Sequence, residues 1–157
     1  MKKTAVCPGS FDPITEGHID IIKRAQAIFG ECRVVVMNNR DKTYRFSLQE
    51  RFHLCQAALE GAEGITVDCY EGMLFEYLSS VEEAVLVKGI RNEKDFAYEK
   101  VQAVFNLAHS GVETLYLDAS EKFTTLSSTL VREKMEKGES LKGFLPDTVI
   151  KLLQNKM

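Results

Sequence analysis

Short apolar runs alternate with amphipathic stretches along most of the chain. The runs at 4–7, 32–37, 65–69, 84–87 and 113–118 are rich in β-branched and other apolar residues, which predicts five strands. Between them, apolar residues recur every three or four positions, which predicts helices. Strands that alternate with helices form a parallel sheet, because each right-handed crossover lays a helix on the sheet. The pattern therefore predicts an α/β, Rossmann-like fold with a five-stranded parallel sheet and helices on both faces.

The predicted helices begin at recognisable residues. Thr15, Ser47 and Asn92 can each cap a helix, and Glu50 completes a capping box with Ser47. Pro146 suits the first position of a last helix, where its missing N–H is not needed. These signals predict six helices, at 16–29, 48–60, 73–81, 93–110, 130–137 and from 146 onward.

Polar loops follow all five predicted strands. In a sheet of this kind, ligands bind beyond the carboxyl ends of the strands, near the point where the strand order reverses. The first loop, Pro8–His18, has two prolines and two glycines, so its backbone is shaped and can approach a ligand closely. It leads into a helix N-terminus, which attracts anions, and His18 lies in the first turn of that helix. The loop therefore predicts a phosphate site.

The expected sheet edge gathers cations, helix N-termini and hydroxyls, namely His18, Lys42, Lys88, Arg91, Ser10, Ser127, Ser128 and Thr129. Such groups suit phosphoryl or nucleotidyl transfer, where catalysis consists mainly of positioning and charge stabilisation. The chain has no Walker A loop, no G-x-G-x-x-G and no G-x-S-x-G. A P-loop kinase, a dinucleotide dehydrogenase and an acyl transferase are therefore not favoured.

Composition and charge indicate the number of domains, the kind of phosphate binding and the redox state of the cysteines. The 157 residues are 45% hydrophobic, which predicts one domain over residues 1–157. The net charge of −3 gives no general attraction to nucleic acid or to an anionic membrane, so phosphate binding must be local. The four cysteines, at 7, 32, 55 and 69, are too far apart for a C-x-x-C motif. We expect reduced thiols in a cytoplasmic protein without a membrane span.

Two short motifs resemble signatures of the nucleotidyltransferase superfamily. Thr15-Glu-Gly-His18 resembles T/H-x-G-H, and Leu126-Ser-Ser-Thr-Leu-Val-Arg132 resembles I-S-S-T/S-x-x-R. Four further stretches extend the likeness to the bacterial phosphopantetheine adenylyltransferase family from end to end: Pro8–His18, Lys42 with Phe46–Arg51, Lys88–Arg91 with Asp95–Glu99, and Phe144–Pro146.

This resemblance implies an activity and its partners. It implies transfer of the adenylyl group of ATP to 4′-phosphopantetheine, which forms dephospho-coenzyme A and pyrophosphate, with Mg²⁺ as the cofactor. It also implies a homohexamer and coenzyme A as a feedback ligand. Metal ligands stay unassigned, because no carboxylate cluster stands out in the sequence.

The resemblance also assigns roles to residues. It implies catalytic roles for His18, Lys42 and Arg91, with His18 binding the α-phosphate and stabilising the transition state. The implied ATP-binding residues are Ser10, Phe11, His18, Gly89, Ile90, Arg91, Glu99, Phe123, Thr124, Thr125, Leu126, Ser127, Ser128 and Thr129. The implied acceptor-binding residues are Ser10, Lys42, Leu74 and Lys88. The chain departs from the common family pattern at Cys7, Lys88 and Phe123, where aromatic, Arg and Trp residues are usual.

Simpler explanations remain open for single residues. Taken alone, His18 can serve as a helix cap, Arg91 as a turn residue, Glu99 as a surface carboxylate, Ser127 to Thr129 as an N-cap, and Arg40, Lys42 and Arg45 as a solvated loop. We expect His53 and His109 to be structural or surface residues. Two rival functions are another nucleotidyltransferase, acting on nicotinamide mononucleotide or using CTP, and a non-catalytic sensor of nucleotide or coenzyme A.

Overall fold

A computed structural model describes residues 2–156, and its centre is a sheet of five parallel strands. The strands are β1 (Thr4–Gly9), β2 (Cys32–Met37), β3 (Ile65–Tyr70), β4 (Ala84–Ile90) and β5 (Thr114–Asp118). The helices are α1 (Glu16–Phe29), α2 (Leu48–Ala58), α3 (Leu74–Leu78), α4 (Glu93–Ser110), α5 (Ser128–Glu136) and α6 (Asp147–Lys156), with a 3₁₀ turn at Glu121–Phe123. The predicted α/β fold with a five-stranded parallel sheet is confirmed.

The strand order is β3-β2-β1-β4-β5, so it reverses between β1 and β4. Both of these strands run further than predicted. Gly9 still pairs with Val36, and Ile90 pairs with Asp118 on the edge strand β5. These extra residues place the loops after β1 and β4 next to each other at the reversal point, where a ligand site is expected.

Alternate strand residues enter two separate apolar cores. Ala5, Cys7 and Val34 face the side covered by α1, α2, α5 and α6. Val6, Val35 and Leu86 face the other side, where α3 and α4 lie. Helices therefore cover both faces, as predicted. Among the described helices, none has both the length and the apolar character that crossing a membrane requires.

Four helix predictions differ from the structure at their ends. The second helix ends at Ala58, two residues earlier than expected. The third helix has five residues instead of nine, because the chain turns at Ser79 and Ser80, whose hydroxyls donate to the carbonyls of Phe75 and Tyr77. The fifth helix begins at Ser128, two residues earlier than expected. The last helix begins at Asp147, since the Pro146 carbonyl accepts from Ile150 N–H and Pro146 itself precedes the first turn.

One glycine brings α1 close to the central strands. A Cβ on Gly89 would lie 2.8 Å from Ile21 Cγ1, which is too close for any side chain. Gly89 therefore lets α1 pack tightly against β4, and this packing holds the N-terminus of α1 at the reversal point.

Candidate active site

His18 lies in the first turn of α1 and serves as part of its cap. The Thr15 hydroxyl accepts from His18 N–H at 3.3 Å, and Thr15 N–H donates to His18 Nδ1 at 2.9 Å. Because Nδ1 accepts a hydrogen bond, the neutral ring carries its proton on Nε2. Burial, and then the positive charge of Arg91, lower the pKa of His18 from 6.5 to about 4. His18 is thus both a cap and a fixed Nε2–H donor.

The first turn of α1 offers fewer free amides than its position alone suggests. Glu16 N–H donates to the Phe144 carbonyl at 2.9 Å, and the N–H groups of Thr15 and His18 are taken by the capping box. Gly17 N–H remains for a ligand in this turn. An anion here would be bound by one amide and the His18 imidazole.

The loop between β1 and α1 is closed by buried contacts. The Phe11 ring lies edge-on to the His18 ring, with 5.1 Å between centroids, and a Cβ on Gly9 would meet the Phe11 ring at 3.1 Å. The Asp12 carboxylate accepts from the N–H groups of Arg45 and Phe46 at 2.9 and 3.0 Å. These contacts fix the loop, in which the peptide bond before Pro13 is cis, and join it to the loop after β2.

Arg51 on α2 is fully buried and ties the same two loops together. Its guanidinium donates to the carbonyls of Ser10 and Met37 at 2.9 and 2.8 Å, and its Nε donates to the Phe46 carbonyl at 3.1 Å. It also stacks on the Tyr44 ring at 3.9 Å. A charged group this deep is tolerated because carbonyl oxygens accept its hydrogen bonds.

Arg91 follows β4 and faces the His18 side of the site. Its Nε and Nη2 donate to the two carboxylate oxygens of Asp95 at 2.9 and 3.3 Å, and its Nη1 donates to the Leu126 carbonyl at 3.3 Å. Burial pushes the pKa of Asp95 up, but the hydrogen bonds and charge of Arg91 outweigh it and the net pKa is lowered. The Arg91 guanidinium is therefore held in one orientation.

The N-terminus of α5 forms the opposite side of this region. Ser127 caps the helix by accepting from Leu130 N–H, Ser128 Oγ donates to the Pro13 carbonyl at 2.8 Å, and Thr129 Oγ1 accepts from Arg132. Only Ser128 uses its hydroxyl as a donor in these contacts, whereas Ser127 and Thr129 accept and each keep an O–H that can donate to a ligand. The positive end of the α5 dipole and the first-turn amides of Ser128 and Thr129 also favour an anion here.

Lys88 and Glu99 form an ion pair above the sheet edge. Lys88 Nζ lies 3.2 Å from Glu99 Oε2, and the two side chains are 22% and 20% exposed. The interpretation of Glu99 as a surface carboxylate does not hold, because the carboxylate is largely buried and contacts a cation.

Two cavities meet at this ion pair. The first has a volume of about 350 Å³ and is lined, among others, by Phe11, His18, Gly89, Arg91, Glu99, Phe123, Leu126, Ser127, Ser128 and Thr129. The second has a volume of about 810 Å³ and is lined, among others, by Ser10, Asn39, Arg40, Lys42, Met73, Leu74 and Lys88. Pro8, Gly9, Lys88 and Glu99 line both, so molecules bound in the two cavities would meet there.

Most of the residues singled out in the sequence lie on these walls, with three exceptions. Ile90, Thr124 and Thr125 line neither cavity; Ile90 is 9% exposed and packed in the sheet. Ser10 lines the second cavity and not the first. His53 and His109 lie outside both cavities, and His109 stacks on Phe105 with 4.0 Å between ring centroids.

The site residues inferred from the sequence do not include the side chains that hold the site in shape. These side chains are Asp12, Arg51, Asp95 and Arg132. Arg132 donates to the Asp12 carbonyl at 2.9 Å, and the contacts of the other three are described above. A signal existed, since all four lie inside the motif stretches that carry the resemblance. Their partners are mainly backbone groups, which sequence patterns do not reveal.

Cys7 also lines the first cavity but is not an activated thiol. A hydrogen bond from Cys32, whose Sγ lies 3.4 Å away, and then burial raise the pKa of the Cys7 thiol well above its ordinary range. A neutral thiol is a poor nucleophile, which agrees with a site that forms no covalent intermediate.

A dedicated metal cage does not fit the donor set. Within residues 2–156, no three His, Cys, Asp or Glu side chains come together as a metal-binding group. The two carboxylates of the first cavity, Asp95 and Glu99, are paired with Arg91 and Lys88.

Comparisons with known proteins agree with this geometry. Residues 6–134 match the model of the cytidylyltransferase-like family. The chain is 40% identical over 157 residues to the phosphopantetheine adenylyltransferase of Syntrophus aciditrophicus, covering 99% of this chain and 95% of that protein. It is 43% identical over 150 residues to that of Fusobacterium nucleatum subsp. nucleatum, covering 94% and 92%, and 38% identical over 156 residues to that of Clostridium novyi, covering 99% and 97%. The chain belongs to the cytidylyltransferase-like family and, within it, to the phosphopantetheine adenylyltransferases.

Proposed function

We propose that this enzyme transfers the adenylyl group of ATP to 4′-phosphopantetheine, forming dephospho-coenzyme A and pyrophosphate. The observation that carries the proposal is the meeting of two cavities at Lys88 and Glu99, beside the loop that ends at His18. A transfer between two phosphate-bearing molecules requires two adjoining sites with positive charge where they meet, and Lys88 supplies such a charge. The family relationship supplies the two substrates.

ATP occupies the first cavity in this proposal. The α-phosphate lies at the junction, where His18 Nε2–H and Gly17 N–H can donate to its non-bridging oxygens. Arg91 and the amides of the first turn of α5 bind the β- and γ-phosphates. These donors are fixed before ATP arrives, because Asp95 and Thr15 orient Arg91 and His18. Preorganised donors favour the transition state, in which negative charge accumulates on the phosphoryl oxygens.

The acceptor occupies the second cavity, with its phosphate near Lys88 and Lys42 and its chain toward Leu74. One acceptor phosphate oxygen attacks the α-phosphorus of ATP in line. The new P–O bond forms as the bond from the α-phosphorus to the β-bridging oxygen breaks, and pyrophosphate leaves with that electron pair. The attacking phosphate is already anionic, so the enzyme supplies alignment and charge screening and no general base.

Magnesium enters with ATP in this proposal. The two carboxylates of the first cavity, Asp95 and Glu99, are paired with cations, so they do not fit a protein cage for Mg²⁺. Phosphate oxygens and water are ligands that Mg²⁺ accepts readily, and the ion supplies charge neutralisation on the triphosphate. The residues named above bind the nucleotide and the acceptor through their own atoms.

The test of this function is an assay of pyrophosphate release with two nucleotides and two acceptors. ATP with 4′-phosphopantetheine and Mg²⁺ is expected to release pyrophosphate and form dephospho-coenzyme A. CTP is included because the matching family model is described as cytidylyltransferase-like, and nicotinamide mononucleotide is included as the rival acceptor. Release with either rival and none with ATP and 4′-phosphopantetheine would overturn the assignment. A sensor would bind the ligands and release nothing.

We further propose a homohexamer in the cytoplasm. The exposed face of α4 supports self-association, since Tyr98, Val101 and Val104 are 61%, 70% and 64% exposed. Replacing Val101 and Val104 by Glu is expected to lower the mass measured by light scattering. Ile28→Glu, at an exposed apolar position on α1, is the matched control and is expected to leave the hexamer intact. A wild-type monomer would contradict this proposal.

Coenzyme A is proposed as a feedback ligand because it shares the adenylyl and pantetheine parts of the product. Such a molecule would occupy both cavities at once. Inhibition that is competitive with both substrates is expected, and inhibition that neither substrate relieves would point to a different site.

A further inference from the structure

Tyr116 lies beside the Lys88–Glu99 ion pair on the α4 face of the sheet. It is the register partner of Lys88 across the parallel strands β4 and β5, so the two side chains are neighbours on one face. Its ring packs edge-on against Phe96, one helical turn before Glu99, with 5.1 Å between centroids. Strand pairing and helix packing thus bring Lys88, Glu99 and Tyr116 together.

Two oxygen atoms in this group are buried without a hydrogen-bond partner among the described residues: Glu99 Oε2 and Tyr116 Oη. Glu99 Oε2 does contact Lys88 Nζ, as an ion pair without hydrogen-bond geometry. A buried hydroxyl without a hydrogen-bond partner destabilises the protein, and a phenylalanine would fill the same space without this cost. The hydroxyl of Tyr116 therefore calls for a functional explanation. Burial, and then the charge of Glu99, raise the pKa of Tyr116, which keeps its hydroxyl a donor.

Binding of the acceptor creates a difficulty for Glu99. In the proposed function Lys88 also binds the acceptor phosphate, and an ammonium group that turns toward this phosphate weakens its pairing with Glu99. A largely buried carboxylate that loses the cation paired with it is destabilised unless another donor replaces it. Among residues 2–156, the hydroxyl of Tyr116 is a neighbouring donor without a hydrogen-bond partner.

We propose that Tyr116 is a positioning residue for Lys88: when Lys88 turns to the acceptor phosphate, the Tyr116 hydroxyl takes its place and donates a hydrogen bond to Glu99 Oε2. This inference rests on the proposed function. The exchange lets Lys88 contact Glu99 in the free protein and the acceptor phosphate in the complex, and it gives a common role to the two unpaired oxygens, Glu99 Oε2 and Tyr116 Oη.

The test compares Tyr116→Phe with wild type, and the double variant Tyr116→Phe/Glu99→Gln with the single variant Glu99→Gln. In Tyr116→Phe, the Glu99 carboxylate has no hydroxyl to replace Lys88 when Lys88 turns to the acceptor. The KM for 4′-phosphopantetheine is therefore expected to rise about tenfold, which is the effect of losing a hydrogen bond to a charged group. The kcat is expected to change by less than about twofold, because the hydroxyl does not touch the reacting atoms. The Tm of the free protein is not expected to fall, since the hydroxyl has no partner there.

The second variant separates this role from a packing role. A neutral glutamine at position 99 does not need a donor to replace Lys88. In the Glu99→Gln background, Tyr116→Phe is therefore expected to change the KM for 4′-phosphopantetheine by less than about twofold. Tyr70→Phe removes a hydroxyl from the edge strand β3, outside both cavities, and is the matched control, expected to keep the wild-type KM.

An unchanged KM in Tyr116→Phe, or a tenfold rise that persists in the Glu99→Gln background, would overturn this inference while leaving the proposed function in place. A wild-type protein that neither binds nor consumes 4′-phosphopantetheine, measured by calorimetry and by turnover, would overturn the proposed function and this inference together.

Discussion

The two cavities are built in different ways. In the first, the polar groups are held by the protein itself: Thr15 orients His18, and Asp95 orients Arg91. In the second and larger cavity, Lys42 is exposed, and within residues 2–156 its ammonium group has no ion-pair partner. Groups fixed during folding cost no further ordering when the ligand binds, whereas Lys42 must be immobilised by the ligand. We therefore expect the first cavity to govern kcat and the second to govern the KM for the acceptor.

The largest effect is expected from His18→Gln. Glutamine at the third helical position keeps the capping box with Thr15, so the helix is retained while the imidazole is lost. Loss of one preorganised donor should lower kcat by about 10²–10³-fold, with little change in ATP affinity. Steady-state kinetics and ATP calorimetry measure the two effects. His53→Gln, at an exposed position on α2, is the control. An equal loss in kcat and in ATP binding would make His18 a binding group only.

The second effect concerns Arg51, which joins the loops of both cavities. Arg51→Met fills similar volume but leaves the carbonyls of Ser10, Met37 and Phe46 without their donor. We expect the free energy of unfolding, measured by urea denaturation, to fall by about 3 kcal/mol. Arg40→Met, at an exposed position, is expected to change it by less than about 0.5 kcal/mol. If Arg51→Met also lowered the free energy of unfolding by less than about 0.5 kcal/mol, the hydrogen bonds of Arg51 would not stabilise the second cavity. The two cavities would then differ even more.

Lys42→Gln is expected to raise the KM for the acceptor by about tenfold and to lower kcat much less than His18→Gln does, because an exposed cation contributes mainly to binding. The effect should shrink at high salt, since exposed charges are screened. Kinetics at low and at high ionic strength measure both. A kcat loss as large as that of His18→Gln would break the comparison between the cavities.

The smallest effect is a dependence of stability on pH. The pKa of His18 is about 4 in the folded protein and 6.5 in the unfolded chain. The unfolded chain therefore binds a proton first, so this contribution to stability is complete above pH 6.5 and is lost as the pH falls toward 4. Between pH 7.5 and 5.5 we expect the free energy of unfolding of wild type to fall by up to about 1 kcal/mol more than that of His18→Gln. Urea denaturation at each pH measures this difference. An NMR titration of His18 near 6.5 would contradict the burial of its ring.

The regular elements were predictable because their signals are local. Thr15, Ser47 and Asn92 cap their helices as expected, and the apolar runs form the five strands. The loops that carry the candidate ligand groups lie together, because loops after parallel strands share one edge. The interactions between loops were not predictable, since Arg51 and Asp12 bind backbone groups of residues distant in the chain.

For His18, the cap role and the site role looked like alternatives in the sequence. In the structure the cap uses Nδ1, and the proposed site role uses Nε2, so the two roles are compatible. Tyr116 was missed because a tyrosine in a strand has no distinguishing pattern. Its importance depends on the register with Lys88 and on the packing of α4, which only the structure reveals.

The hydrogen bond from Glu16 N–H to the Phe144 carbonyl has a consequence for synthesis of the chain. By residue 129 a nascent polypeptide contains His18, Lys42, Lys88, Arg91 and the start of α5. The start of α1, however, gains its hydrogen bond to the Phe144 carbonyl only when Phe144 has left the ribosome. Chains not yet translated past Phe144 are therefore expected to hold nucleotide poorly, so that adenylyl transfer begins only after this residue has emerged.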